Sequence, residues 1–423
     1  MIGADSLGLT DGAHVSVGSE MWPVLVQRAA VVLTAAAIGL RFWPAVDWLL
    51  VLAGLMMATF AMGRMPRGLA FATFSAYYLA ESSPLIAAGS SIMGTELLTS
   101  AAWWLFHGLF SSLPILLLRG RAPGLRASLV AFLYIVPPFG TLVPNNPAMV
   151  IGLFFPATSI FGAIGFIALA GVIGSFDAKN KASLRNLVLL IFLSLASNAI
   201  CLTDKTSAPA NWHTFDTRLG NYGGDMRRRM GIGNLELPVL LKQEMVKSGG
   251  ANEGDIWFLA EGMIYDWSPF TEFLWRESFK GSGATAIVGG YAFNQKTHDL
   301  TSRVYVLGDS AGHALAKSAL ESVRAGITFP VVMWRPWGRP NHFPMHAPGN
   351  PVRIDGRRVH LSWCYESIIV WPHLLASMQT PDVMVSLENR WATKDTSLEA
   401  AQDAAGRLNA RWLGVPLMRA TNR

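Results

Sequence analysis

His360-Leu361-Ser362-Trp363-Cys364-Tyr365-Glu366 reads as a short strand that delivers a cysteine to a turn. A helix-like stretch, 367–378, follows at once. A thiol at such a junction lies near free backbone N–H groups and the positive end of a helix dipole, which favours the thiolate. The chain has two cysteines, and the other, Cys201, ends an apolar segment. Cys364 is therefore a candidate nucleophile and not half of a disulfide framework.

Working outward, the pattern from about residue 211 is one of short β-rich runs alternating with helical stretches. Strands are expected over 256–260, 285–288, 303–307, 330–334, 359–363, 383–387 and 416–419. Helices are expected over about 235–248, 268–280, 313–325, 366–378 and 396–413. That alternation indicates an α/β domain, assigned to residues 204–423, and its length suffices for a sizeable core.

Residues 1–203 read differently. Only 15% of the chain is charged, well below the roughly 25% usual for soluble proteins, and the deficit is concentrated here. Seven apolar stretches approach the roughly 20 residues that a helix needs to cross a bilayer. They lie at about 22–40, 44–63, 68–89, 99–118, 127–144, 148–175 and 187–203. Arg64 and Arg67, then Arg119, Arg121 and Arg126, then Lys179, Lys181 and Arg185 fall in the even loops. The odd loops carry Arg41 alone. With seven spans, the positive-inside bias puts the even loops in the cytoplasm and residues after 203 on the outer face, the periplasm in a cell with two membranes. The sixth stretch is long enough to be tilted or broken, and a count of six or eight would put residues after 203 in the cytoplasm. Pro137-Pro138 is expected to kink the fifth span. Glu81 is an acid at membrane depth. It is either paired within the bundle or part of a proton or substrate path.

Three polar residues stand at strand or loop ends. Glu261 ends the apolar run Ile256-Trp257-Phe258-Leu259-Ala260, Lys317 follows the turn 308–312, and Cys364 is the third. A carboxylate can take a thiol's proton, and an ammonium with a backbone N–H can hold the oxyanion of a tetrahedral intermediate. Singly, each has a plainer reading: a solvated acid, a surface cation, a small buried hydrophobe.

In the order Glu, Lys, Cys, the set resembles the carbon–nitrogen hydrolase (nitrilase) superfamily. With the apolar half it is similar to apolipoprotein N-acyltransferases. Cys364-Tyr365-Glu366 matches that family's Cys-Tyr-Glu. Lys317-Ser318-Ala319-Leu320 follows its Lys-x-x-Leu, Asn389-Arg390-Trp391 resembles its Asn-x-x-Trp, and Pro416 to Asn422 resembles its Pro-Leu-x-Arg-Ala-Thr-Asn. The resemblance implies an αββα sandwich after about seven transmembrane helices. It also implies an acyl-thioester mechanism with Glu261, Lys317 and Cys364 as catalytic residues. The N–H of Tyr365 would help hold the oxyanion. Glu366 either orients the pocket or is a charge favoured at a helix N-terminus. The chain departs from the family where Ala260 replaces a proline, where Glu321-Ser322-Val323-Arg324 replaces Pro-Phe-Gly-Glu, and where it stops at Arg423. Those departures point away from the housekeeping lipoprotein reaction. A shortened plan of this kind resembles plasmid conjugal-transfer proteins.

The implied partners are a membrane lipid as acyl donor, an amine or water as acceptor, and conjugation or envelope proteins. No cofactor is implied, and His342 and His346 are too isolated to read as a metal site. The net charge of +6 comes without a basic tail, so no nucleic-acid contact is expected. Residues 333–339 alternate Trp and Arg, as in a loop at the headgroup layer or a packed loop. Arg227-Arg228-Arg229 reads as a solvated face or a contact for lipid phosphate. The rival functions are a non-catalytic envelope or mating-channel component and, on Glu81 alone, a transporter.

Overall fold

A computed structural model describes residues 17–42, 59–60, 65–84, 86, 97–144, 146–203, 207–219, 235–247, 253–264, 267–294, 296, 299–308, 352–391 and 397–423. Lys317, Arg227-Arg228-Arg229, the expected strand 330–334, the Trp/Arg run 333–339, His342 and His346 lie outside the described residues.

The apolar half contains α1 (Val17–Phe42), α2 (Arg67–Glu81), α3 (Leu97–Ser112), α4 (Pro123–Ile135), α5 (Ile160–Ser175) and α6 (Lys181–Thr203). Among the described residues, three segments are helical, long and apolar enough to cross a membrane: Pro23–Leu40, Leu97–Leu117 and Lys181–Leu202. The expectation of seven spans is corrected to that extent. The backbone breaks where hydropathy alone saw continuity. The fifth expected span divides into α4 and the single turn Phe139–Leu142, with Pro137-Pro138 between them. Proline lacks the N–H that would carry the helix on. The sixth divides at Phe155–Ser159, next to Pro156, into the short turns Pro147–Val150 and Ile151–Phe154 and then α5. Most of the second expected span lies outside the described residues. Helices α4 and α5 meet along small residues. A Cβ on Gly124 would come 2.8 Å from the Gly171 carbonyl oxygen, and one on Gly174 would come 2.5 Å from the Ala127 Cβ. Such stripes let helix backbones approach closely.

The second half holds two four-stranded sheets. The first has the order β1 (Trp212–Phe215), β2 (Ile256–Ile264), β3 (Thr285–Asn294), β4 (Asp299–Gly308), with β1, β2 and β3 parallel and β4 antiparallel at the edge. The second has the order β5 (Val352–Ile354), β6 (Arg357–Trp363), β7 (Val383–Asn389), β8 (Leu417–Asn422), with β5 antiparallel and the others parallel. Side chains on a strand alternate between faces, and β2 shows the consequence. Ile256 and Phe258 point into the apolar layer between the sheets, against Trp363, Val385, Leu387 and Ala420. Trp257 and Leu259 point the other way, onto α7 (Leu237–Lys247) and α8 (Pro269–Phe279). On the far side of the second sheet, Met384 packs on α9 (Trp371–Gln379) and α10 (Ser397–Leu413). The layers therefore run helix, sheet, sheet, helix.

A fifth layer follows. Leu398, Ala401, Ala405, Leu408 and Trp412 recur at spacings of three and four along α10 and join one buried cluster with Phe74, Tyr78, Val150 and Phe166 of the apolar half. Contact is intimate. A Cβ on Gly152 would lie 2.0 Å from the Leu408 carbonyl oxygen, and the Trp412 indole N–H donates to the Ser159 carbonyl at 2.7 Å.

Candidate active site

Strand β6 carries apolar Val359 and Trp363 into the inter-sheet layer, and its last residue is followed directly by Cys364. The expected helix does not begin there. A short 3-10 turn, Glu366–Ile368, intervenes, and α9 starts only at Trp371. Pro372 sits in the first turn of α9, where a missing N–H leaves no hydrogen bond unmade, and so marks its start. The helix N-terminus is thus seven residues from the thiol. The thiolate expected from a helix dipole is corrected as well: burial, then the charges of Glu261 and Glu388, push the Cys364 thiol up to about 12.

Two of the three expected residues meet. The Glu261 carboxylate accepts the backbone N–H of Cys364 and, at 2.9 Å, the hydroxyl of Ser302 on β4. Burial pushes Glu261 up to about 8, and the nearby Glu366 adds to the rise while the two hydrogen bonds oppose it. Local geometry explains how a strand residue reaches the neighbouring sheet. The pairing of β2 with β3 slips between Leu259 and Ile264, and Gly262 adopts φ +70°. A Cβ there would lie 2.9 Å from the Tyr291 hydroxyl, so the bulge that aims Glu261 needs glycine. Lys317 lies outside the described residues.

The turn after Cys364 is held from several sides. Glu366 is buried and accepts the Trp363 N–H at 3.3 Å, so it bridges the turn and is not a charge at the start of α9. Ser367 donates to the Cys364 carbonyl at 2.8 Å, and Asn409 of α10 donates to the Ser367 carbonyl at 2.8 Å. His373 hydrogen-bonds the Glu366 carbonyl at 3.0 Å and His360 at 3.1 Å. The Tyr365 side chain packs into the cluster shared with the apolar half. Burial first, and then the charge of Glu81 on α2, raise its phenol.

Sequence reasoning missed further members. Gln402 on α10 donates one amide hydrogen to the Cys364 sulfur and one to its carbonyl, both at 3.2 Å. Nothing in an isolated Gln on an amphipathic helix signals that. Beneath them lies a buried ionic group. Glu388 accepts from Ser386 at 2.6 Å and pairs with Arg390, and Asp403 bridges Arg390 and Arg419, the latter at 2.8 Å. The matched segments Asn389-Arg390-Trp391 and Pro416 to Asn422 already marked two of these positions, Arg390 and Arg419. Side-chain amides of Asn389 and Asn422 pair at 2.9 Å, tying the ends of β7 and β8. Among the described residues there is no group of three or more His, Cys, Asp or Glu able to hold a metal ion. Glu261, Cys364 and Glu388 lie in the later part of, or directly after, the parallel strands β2, β6 and β7, the end at which open α/β sheets form their binding crevices, while Ser302 comes from the edge strand β4 and Gln402 from α10.

No family model matches the chain. A solved carbon–nitrogen hydrolase from Helicobacter pylori G27 overlays 49% of this chain and 72% of its own, at 13% identity and a TM-score of 0.34. The Probable conjugal transfer protein TraB of Sinorhizobium fredii (strain NBRC 101917 / NGR234) is 26% identical over 302 residues, 70% of this chain and 72% of the relative. The Conjugal transfer protein TraB of Agrobacterium fabrum (strain C58 / ATCC 33970) is 28% identical over 182 residues, 42% of this chain and 41% of the relative. This chain is thus similar to proteins named for conjugal transfer, to one of them over 70% of its length, as the resemblance of its shortened plan implied.

Proposed function

We propose that the protein is a membrane-anchored, Cys-dependent amidase or N-acyltransferase-like enzyme that serves plasmid conjugal transfer. In this reading residues 1–203 form the membrane part and 204–423 a carbon–nitrogen hydrolase-like part on the outer face of the inner membrane. The observation that carries it is the meeting of Glu261 and Cys364 at the carboxyl ends of parallel strands. Glu261 takes the thiol proton, and the sulfur attacks an acyl carbonyl. Lys317 and the Tyr365 N–H hold the oxyanion until it collapses, the leaving group departing with the proton from Glu261. An amine or water then attacks the thioester with Glu261 again as base, the C–S bond breaks to release the acyl product, and the Cys364 sulfur takes the proton back from Glu261. The resemblance implies a phospholipid acyl chain as donor. The packing of Tyr365 and Trp371 against the apolar half supports a site that faces the bilayer part.

Both raised groups keep their protons at neutral pH in these surroundings. An ammonium brought to the pair lowers both, which is the electrostatic reason for a lysine as third member. Replacing Cys364 by Ala, or Glu261 by Gln, should abolish labelling of the membrane-embedded protein by a thiol-reactive acyl probe. Undiminished labelling of the Glu261→Gln protein would remove Glu261 from the mechanism. The raised thiol also favours a second reading, a non-catalytic component of the envelope or mating channel. Full plasmid transfer by a Cys364→Ala strain would decide for that second reading.

A further inference from the structure

A cavity of about 240 Å³ opens where the end of α6 meets the end of α10, lined by Cys201, Arg407, Arg411, Val415 and Leu417 among others. None of the residues gathered around Cys364 lines it. Its electrostatics are one-sided. Arg390 and Arg419, from the same region of the fold, are paired with Glu388 and Asp403, whereas Arg407 and Arg411 make no ion pair among the described residues. Arg411 is instead held by a neutral group: its guanidinium donates to the side-chain oxygen of Asn198 on α6. That amide is itself fixed, its NH₂ donating to the Leu153 carbonyl at 3.1 Å and the Ser194 carbonyl at 2.8 Å. The Arg411 Nε–H is buried and has no hydrogen-bond partner among the described residues. The arrangement orients a cation without neutralising it.

The location limits what the ligand can be. Helix α6 is one of the three candidate spans, and its surface is apolar to the end, with Ile200 64% and Leu202 76% exposed. The cavity therefore sits at the level where a spanning α6 leaves the hydrocarbon, the headgroup layer. Two unneutralised guanidinium groups fit a phosphate oxyanion, and Val415 and Leu417 offer an apolar wall beside it.

We propose that this cavity binds the phosphodiester headgroup of an anionic membrane phospholipid, and so fixes the height of the second half against the bilayer. The proposal rests on α6 as a membrane span and is independent of any chemistry at Cys364. Cys201 supplies the probe. With Cys364 replaced by Ser, Cys201 is the sole thiol of the chain. Its alkylation by a small maleimide is followed in nanodiscs of phosphatidylcholine alone, and in nanodiscs containing phosphatidylglycerol. Phosphatidylglycerol should slow alkylation about tenfold, and Arg407→Ala and Arg407→Glu, at an exposed position, should restore the rate. Equal rates in the two lipids would overturn the proposal, as would protection that survives both substitutions. Protection by inorganic phosphate in phosphatidylcholine nanodiscs would assign the site to a free anion and overturn the lipid reading. Loss of thiol-probe labelling at Cys364 in an otherwise native chain bears on the catalytic reading alone and leaves this site standing.

Discussion

Cys364 is held between an acid and an amide. The Glu261 charge disfavours its thiolate, while the Gln402 N–H favours it. Removing that donor is a local change with a defined sign. Gln402→Leu should push the thiol still higher, so that alkylation of Cys364 slows about tenfold at neutral pH and its pH profile moves upward. A profile that does not move would mean that Gln402 only supports the turn. The buried His360–His373 pair gives a second test. Burial lowers both imidazoles, His360 to about 4 against an ordinary 6.5. The unfolded chain thus takes up protons that the folded chain refuses as pH falls from 6.5 toward 4. Stability is complete above pH 6.5 and declines through that window. His360→Gln keeps a hydrogen-bonding group without the titration, so its unfolding midpoint should fall less between pH 7 and pH 5 than that of the parent protein.

At the scale of elements, α10 decides most. One face carries Gln402 and Asn409 to the turn after Cys364, and another carries Leu408 and Trp412 into the apolar half. The two faces are rigidly linked, so the contact at Gly152 should bear on the thiol. Gly152→Val places a side chain against the Leu408 carbonyl. It should cost about 1–3 kcal/mol by overpacking and weaken probe labelling at Cys364, read by thermal unfolding and by labelling rate on the same sample. The elements themselves were largely legible. Strands at 256–260, 285–288, 303–307, 359–363, 383–387 and 416–419 appear as β2, β3, β4, β6, β7 and β8, because apolar runs bounded by turn residues specify them locally. Strands β1 and β5, only four and three residues long, were missed, since so short a run has no period to read. The start of α9 was misplaced because the segment after Cys364 is helix-compatible in composition, while Pro372 sets where the helix can begin.

At the scale of the whole molecule, the apolar half covers a face that the sandwich leaves open. Ile368, Val370, Leu374, Leu398, Leu408 and Trp412 are buried in one cluster with residues of the first-half helices. A fragment of residues 204–423 should therefore expose a large apolar patch and aggregate, whereas the full chain in detergent stays dispersed. Monodisperse behaviour of that fragment in size-exclusion chromatography would contradict the five-layer packing. Three apolar helices and the conjugal-transfer relatives are compatible with membrane association, and the exposed apolar surface of α6 gives that association a physical basis.

The amino-acid sequence by itself determined six of the eight described strands, the apolar character of the first half, and Glu261 and Cys364 as residues that belong together, because these depend on local periodicity and on motifs. Beyond the interruption expected at Pro137-Pro138, tertiary structure decided where the apolar stretches divide and how few of the described helices are long enough to span, since a hydropathy window averages over residues that interrupt the backbone. It also decided that Gln402 touches the sulfur, that Ser302 touches Glu261, and that burial leaves the thiol protonated, because contacts between distant segments and the desolvation they impose have no local signature. The expected thiolate gave way for that reason: the helix dipole lay too far off, and the low dielectric of the packed strand ends outweighed it.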